Sequence, residues 1–248
     1  MDFYSKLLPI LFEKYEINMK NILKLHRKVK QEQRTKIYTK FSNLNSGILL
    51  TTDVSARGLD IPNVDWIVQF DPPQDSNQYI HRIGRTARAG NQGQSMIFLQ
   101  EQEDSYVKFL EKRKVDIRSI NIEPSLEVKN IREFVYKQMK LDRDLIDKSQ
   151  NAFVSFIRYY KEHELKFIFP FNQLQIGHVA NSFFLFRMPR IKEILGKKWQ
   201  GFQSQAIDID SIKYKDKNRQ KQKETMDSKL EFKAKREEKV KLNLINII

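Results

Sequence analysis

Apolar positions recur every three to four residues from about Phe3 to Tyr15, which predicts a first helix. A short apolar run, ILKLH at 22 to 26, then predicts a strand, and Ile37, Tyr38, Phe41 and Leu44 predict a second helix. ILLTT at 48 to 52, behind Gly47, reads as a buried strand. After the connection DVSARGLDIPNV comes DWIVQF at 65 to 70, another strand. Asp75 or Ser76 can cap a helix that carries HRIGRTAR and stops at Gly90, and SMIFL at 95 to 99 is a further strand. Alternation of this kind predicts an α/β fold, a parallel sheet covered on both faces.

From roughly Pro124 the period is helical only. Val128, Ile131, Val135, Met139, Leu145 and Ile146, then Phe153, Phe156, Ile157 and Tyr160, keep one apolar stripe without strand punctuation. A second helical stretch covers Val179, Ala180, Phe183 and Phe184, and the pattern ends near Trp199 or Phe202. From Lys213 a lysine-rich tract is too polar to build a core and reads as a solvated helix or a disordered tail. The pattern divides the chain into 1–115, 124–205 and 206–248, with the segment at 113 to 125 as a link.

Composition narrows the partners. A formal charge of +14 over 248 residues points to a polyanion, nucleic acid first and an acidic membrane surface second. No apolar run approaches the length that crosses a bilayer, and MDFYSKLLPILFEKYE is a poor signal peptide. Without cysteine there is no disulfide, thiolate nucleophile or Cys-based zinc site, and four scattered histidines argue against a His-only metal site.

The chemistry concentrates in two stretches. From Ser76 to Gly90 there is no Asp or Glu, so the cations His81, Arg82, Arg85 and Arg88 have no carboxylate one turn away. If 77 to 89 is a helix, His81, Arg85 and Arg88 share a face, which repels itself unless an anion is bound. Gly84 removes a side chain from the same turn. An isolated R-x-x-R is most often a solvated basic face, but this one follows a strand, where ligands bind in doubly wound sheets. The loop after ILLTT occupies the same kind of position and carries Thr52, Asp53, Arg57, Gly58 and Asp60. An arginine fork can hold two oxygens of a phosphoryl group. Asp60 can accept a ribose hydroxyl, or equally cap the turn beside Pro62.

These residues resemble a known family. TTDVSARGLDIP is similar to motif V, and HRIGRTARAG to motif VI, of the DEAD-box RNA helicases, in the family's order. The resemblance implies a RecA-like helicase carboxyl-terminal domain over 1–115, in which Arg85 and Arg88 meet the γ-phosphate of ATP and His81 couples the two halves of the enzyme. It implies Gly58 and Asp60 in the nucleotide site, Asp60 on the ribose. Thr52 would touch the RNA backbone with Arg57 holding the loop, and QEQR at 31 to 34 would make Arg34 a further phosphate contact. Two positions depart from the family: Arg27 stands where LHG has glycine, and GRTAR has Ala87 where GRTGR has glycine, a mild change if it lies on a helix.

No G-x-x-x-x-G-K-[ST] and no D-E-A-D occurs in the chain, and the strand expected before the first helix is missing. The resemblance therefore covers the carboxyl-terminal half of such an enzyme, with magnesium and the ATP phosphates held by a missing amino-terminal domain. NAFVSFIRYYKEHELKFIF and LQIGHVANSFFLFRMPRIKEI resemble the helical extension of the subgroup that assembles ribosomes, closest to its Spb4 type. That implies pre-ribosomal RNA and pre-60S particle proteins as partners, a nucleolar site of action in the nucleus, and a monomer within a large particle. The rival readings are a non-catalytic RNA-binding assembly factor and a basic scaffold for acidic proteins. Among the remaining residues, Tyr159, Tyr160, Phe167, Phe169 and Phe171 stack on bases or, as their helical spacing favours, build core. His163 and His178 read as polar residues near helix ends, and Arg187 and Arg190 as candidate phosphate contacts.

Overall fold

The computed structural model describes residues 1–53, 64–87, 90, 92–120, 127–197 and 199–245. Among them the elements run α1 (Asp2–Lys14), β1 (Ile22–Leu25), α2 (Gln31–Ser42), β2 (Ile48–Thr51), β3 (Trp66–Gln69), α3 (Ser76–Ile83), β4 (Gln94–Ile97) and α4 (Ser105–Glu111). The helical part follows as α5 (Glu127–Leu141), α6 (Arg143–Lys161), α7 (Ile176–Ser182) and α8 (Lys217–Ile245).

β1 pairs with β2 in parallel, Ile22 opposite Ile48, and β3 pairs with β4 in parallel, Trp66 opposite Gln94. Among the described residues the two ladders stay separate. This modifies the expectation of a sheet covered on both faces. β2 is half-buried rather than buried, and Trp66, Val68 and Phe70, which alternate onto one face of β3, are 47%, 56% and 52% exposed. Strands with one partner each leave an edge and part of a face open, so the apolar run of β2 is not enclosed as in a central parallel strand.

One apolar core runs through both parts of the chain. Phe3 and Leu7 of α1, Tyr79 of α3 and Tyr106 and Leu110 of α4 join Val135, Met139, Phe153, Ile157, Tyr160 and Phe169 of the helical part. From Ile131 to Tyr160 the expected stripe is buried or half-buried, and it faces the α/β part as well as its own neighbours, while the Val128 side chain lies outside the described residues. Ions reinforce the join: Lys6 of α1 reaches Asp142 at 2.6 Å and Asp144 at 2.5 Å, at the start of α6.

Several helices end on residues other than glycine. After α7, the Leu185 amide donates to the Ala180 carbonyl and the Phe184 amide to Asn181, with Phe184 at φ 58. This is the Schellman closure that usually selects glycine. The helix therefore ends at Ser182, before Phe183 and Phe184, and the Phe184 ring instead packs near Phe3 and Tyr136. α1 closes the same way on Glu16, φ 54.

The basic tail is helical over Lys217–Ile245, and its beginning is held. The Tyr214 hydroxyl donates to Asp147 at 2.5 Å, and Arg219 pairs with Asp144 and Asp147 while its guanidinium lies 4.5 Å from the Tyr214 ring centroid. From Glu224 to Phe232 every residue is exposed. No helix among the described residues is long and apolar enough to cross a membrane.

Candidate nucleotide and RNA site

Asp75 starts α3 by accepting the Gln78 amide at 2.8 Å, as an N-cap aspartate does. The helix ends at Ile83, so Arg85 lies beyond it and does not share a helical face with His81. The cause is Thr86. Its buried hydroxyl donates to the carbonyls of Val64 and Asp65, drawing the chain out of the helix toward the start of β3. Ala87 then sits at φ 54, and a side chain at Gly93 would collide with Thr86 and the Ala87 amide.

Arg82 answers the question of the unaccompanied cations. Its fork binds Asp53 through Nε at 2.5 Å and Nη2 at 2.7 Å, and Nη1 donates to the Asp71 carbonyl at 2.7 Å and to Gln69 Oε1 at 3.3 Å. The missing carboxylate thus comes from the residue after Thr52, and the arginine ties Asp53 to α3. Burial works against the Arg82 charge, but the hydrogen bonds to Asp53 outweigh it and raise its pKa. Desolvation likewise raises Asp71, with Arg82 pulling it back in part.

The other expected site residues are distributed as follows. Thr52 is exposed immediately after β2, and His81 is exposed on α3. Arg85 is half-buried in the turn beyond α3, its Nε donating to the His81 carbonyl at 3.3 Å. Arg34 on α2 donates to the carbonyls of Val29 at 3.0 Å and Arg27 at 3.2 Å, so it braces the loop after β1. Arg57, Gly58, Asp60 and Arg88 lie outside the described residues. No group of three or more His, Cys, Asp or Glu that could hold a metal occurs among the described residues.

The helical part reaches this site directly. The Tyr159 hydroxyl donates to the Pro72 carbonyl at 2.6 Å, the Glu164 amide to Gln74 Oε1 at 3.0 Å, and the Tyr160 hydroxyl to Glu103 at 2.8 Å. Burial pushes the Tyr159 phenol up to about 12, and the fully buried His163 down to about 4. Pro72 and Gln74 lie between Asp71, which Arg82 binds, and the cap of α3. Sequence reasoning missed this seam and the Asp53 to Arg82 fork. The carboxylate-free stretch signalled a distant partner for Arg82 but not which one.

Parallel strands with helices between them, and Asp53 after β2 tied to Arg82 of the helix that follows β3, fit the carboxyl-terminal RecA-like domain of a helicase. Residues 3–90 match the helicase conserved C-terminal domain, and residues 142–191 match the C-terminal extension of ATP-dependent rRNA helicases of the SPB4-like kind. The chain belongs to the DEAD-box RNA helicases, in the group with an SPB4-like extension. It is 40% identical over 228 residues to ATP-dependent RNA helicase DDX55 of Danio rerio, which covers 90% of this chain and 37% of that protein. The chain thus spans little more than a third of the length of that curated relative. Among solved structures, Mss116p DEAD-box helicase domain 2 bound to an RNA duplex matches with TM-score 0.59 and 30% identity, covering 74% of this chain and 71% of that one. Mss116p bound to ssRNA and AMP-PNP matches with TM-score 0.59 and 31% identity, covering 74% of this chain and 36% of that one.

Ala87 carries a direct stability prediction. It is not on a helix, as the sequence suggested, but in the left-handed region that glycine enters without strain. Relief of about 1–2 kcal/mol of strain, less the unfolded-state entropy that glycine adds, gives a net gain of about 0.5–1 kcal/mol for Ala87→Gly. Urea denaturation should show the higher midpoint with an unchanged slope.

Proposed function

We propose that this chain is the carboxyl-terminal part of an ATP-dependent RNA helicase that remodels RNA during large ribosomal subunit assembly and rRNA processing, acting in the nucleolus. The observation that carries the reading is the Asp53 to Arg82 fork. It ties Asp53, next to Thr52, to the helix that carries His81, a link through which RNA contact would be coupled to nucleotide contact. The SPB4-like match over 142–191 supports the ribosomal assignment, and the charge of +14 supports an RNA partner. The same reading takes 1–115 as the RecA-like domain, 124–205 as the extension and 206–248 as a basic tail, within a pre-60S particle.

ATP and magnesium would be held between this domain and a second RecA-like domain, with Gly58 and Asp60 on the nucleoside, and Arg85 and Arg88 on the transferring phosphoryl group. The bound nucleotide supplies the phosphoryl transfer whose completion lets the domains separate. Thr52, Arg57 and Arg34 would face the RNA backbone. His81, exposed on α3, would meet the second domain. The chain contains neither a G-x-x-x-x-G-K-[ST] loop nor a D-E-A-D sequence, so alone it should turn over no ATP.

The test has two parts. An antibody to the tail gives the size of the native product, expected at roughly 500 to 600 residues for two RecA-like domains plus the extension. In that product Arg85→Ala should lower RNA-stimulated ATP hydrolysis by roughly a thousandfold or more while RNA binding stays near wild type. A native product of this chain's own length without ATPase activity would favour the non-catalytic RNA-binding factor.

A further inference from the structure

The structure separates the aromatic residues that the sequence leaves together. Tyr160 and Phe169 are core, whereas Phe167 is 74% exposed. Its ring is not loose: it meets Phe109 edge-on at 6.1 Å, and the Arg113 guanidinium lies 3.7 Å from the Phe109 centroid. Beside Phe167, Lys166 enters an open cleft of about 620 Å³ lined also by Arg158, Lys161, Lys192, Glu162 and Glu193. Glu193 is buried, and its Oε1 accepts from Arg158 at 3.1 Å, so the mouth of the cleft is dominated by lysine. At its margin Phe171 carries Lys197 at 4.3 Å and Lys161 at 6.0 Å from its ring centroid.

We propose that this surface of the helical extension binds a single-stranded RNA segment, with phosphates on Lys161, Lys166 and Lys192 and a base stacked on Phe167. Lysines around an open cleft suit a flexible polyanion, and an exposed ring buttressed by a second aromatic offers a π-face of the kind unpaired bases take. An acidic protein would use the lysines but has no need of the bare ring. The site lies outside motifs V and VI, so it would hold RNA while the nucleotide-dependent contacts open and close. The inference rests on the reading of RNA as this chain's partner.

The test uses the full 248-residue chain and a fluorescent oligouridylate of about twelve nucleotides. Phe167→Ala should weaken binding about tenfold, since a stacked base contributes that order of affinity. Lys161→Ala with Lys192→Ala should lower the slope of log affinity against log salt by about 1.4, for two phosphates lost from single-stranded RNA. Arg158 is kept, because removing it would leave Glu193 buried alone. All three substituted residues are exposed, so melting curves should match wild type. With 4-thiouridine in the probe, photocrosslinks should map to the peptide containing Phe167. If wild type binds the probe, Arg34→Ala weakens it and the extension variants do not, this site is wrong while the RNA reading stands. If wild type binds no RNA, both fall. If polyglutamate competes as well as RNA and Phe167→Ala changes nothing, the surface is a protein-docking site and the inference is overturned.

Discussion

Arg82→Gln should destabilise the folded chain by about 3 kcal/mol, because it leaves Asp53 and the Asp71 carbonyl facing each other without their shared cation. The side chain of Arg82 is 19% exposed and that of Asp53 24%, so solvent screens the pair little and the effect should lie well above that of a surface salt bridge. At this chain length the melting temperature should fall by roughly 6 to 12 °C. Arg82→Lys should recover less than half, since an ammonium cannot span two carboxylate oxygens and a carbonyl at once. Thermal denaturation followed by circular dichroism reads both variants. Equal melting temperatures for the lysine variant and wild type would show that charge, not the fork, holds the loop to α3.

Acidification should weaken the molecule at His163. Its imidazole is fully buried beside Phe169, 4.2 Å between ring centroids, and desolvation chiefly lowers its pKa to about 4 from an ordinary 6.5, with Arg82 adding to the effect and the Pro73 backbone opposing it. The unfolded chain therefore takes up a proton between pH 6.5 and 4 that the folded chain refuses. This contribution is fully present above pH 6.5 and is lost as pH falls toward 4, amounting to about 3 kcal/mol in all. The raised carboxyls of Asp71 and Glu103 act with opposite sign, so the comparison must be against His163→Asn, which retains both. Between pH 7 and 4.5 the wild type should lose about 2 kcal/mol more unfolding free energy than the variant. Nitrogen-15 shifts of the His163 ring offer an independent check: a neutral imidazole at pH 5 is expected, and a charged one would sink the prediction.

What the sequence revealed depended on the range of the interaction involved. Strands β1 to β4 and helices α1, α2 and α6 follow from local periodicity, and the Asp75 cap was visible because a capping carboxylate lies three residues from the amide that donates to it. Helix ends were harder to see. Glu16 and Phe184 occupy left-handed positions where a reader looks for glycine, and Thr86 ends α3 by bonding to carbonyls 21 and 22 residues away. Motif residues such as His81 and Arg85 were recognisable by the resemblance of HRIGRTARAG to motif VI. The partner of Arg82 was not, since Asp53 lies 29 residues upstream and only the fold brings it near. His163 looked like a polar residue at a helix end, and the seam that covers it, Tyr159 on Pro72 and Glu164 on Gln74, joins residues 87 and 90 apart that no window of sequence reports.

The apolar core that joins α1 and α4 to α5 and α6 bears on how such a chain can evolve. Phe3 and Leu7 belong to the same packed cluster as Phe153, Phe183 and Phe184, although helicase motifs and extension look like separate cassettes in the order of residues. A cassette can be exchanged between genes only if its surface is finished, and here each part completes the other's interior. Lineages should therefore inherit the two together, with substitutions at Phe3 or Leu7 answered across the join by residues of α6 and the α7 turn.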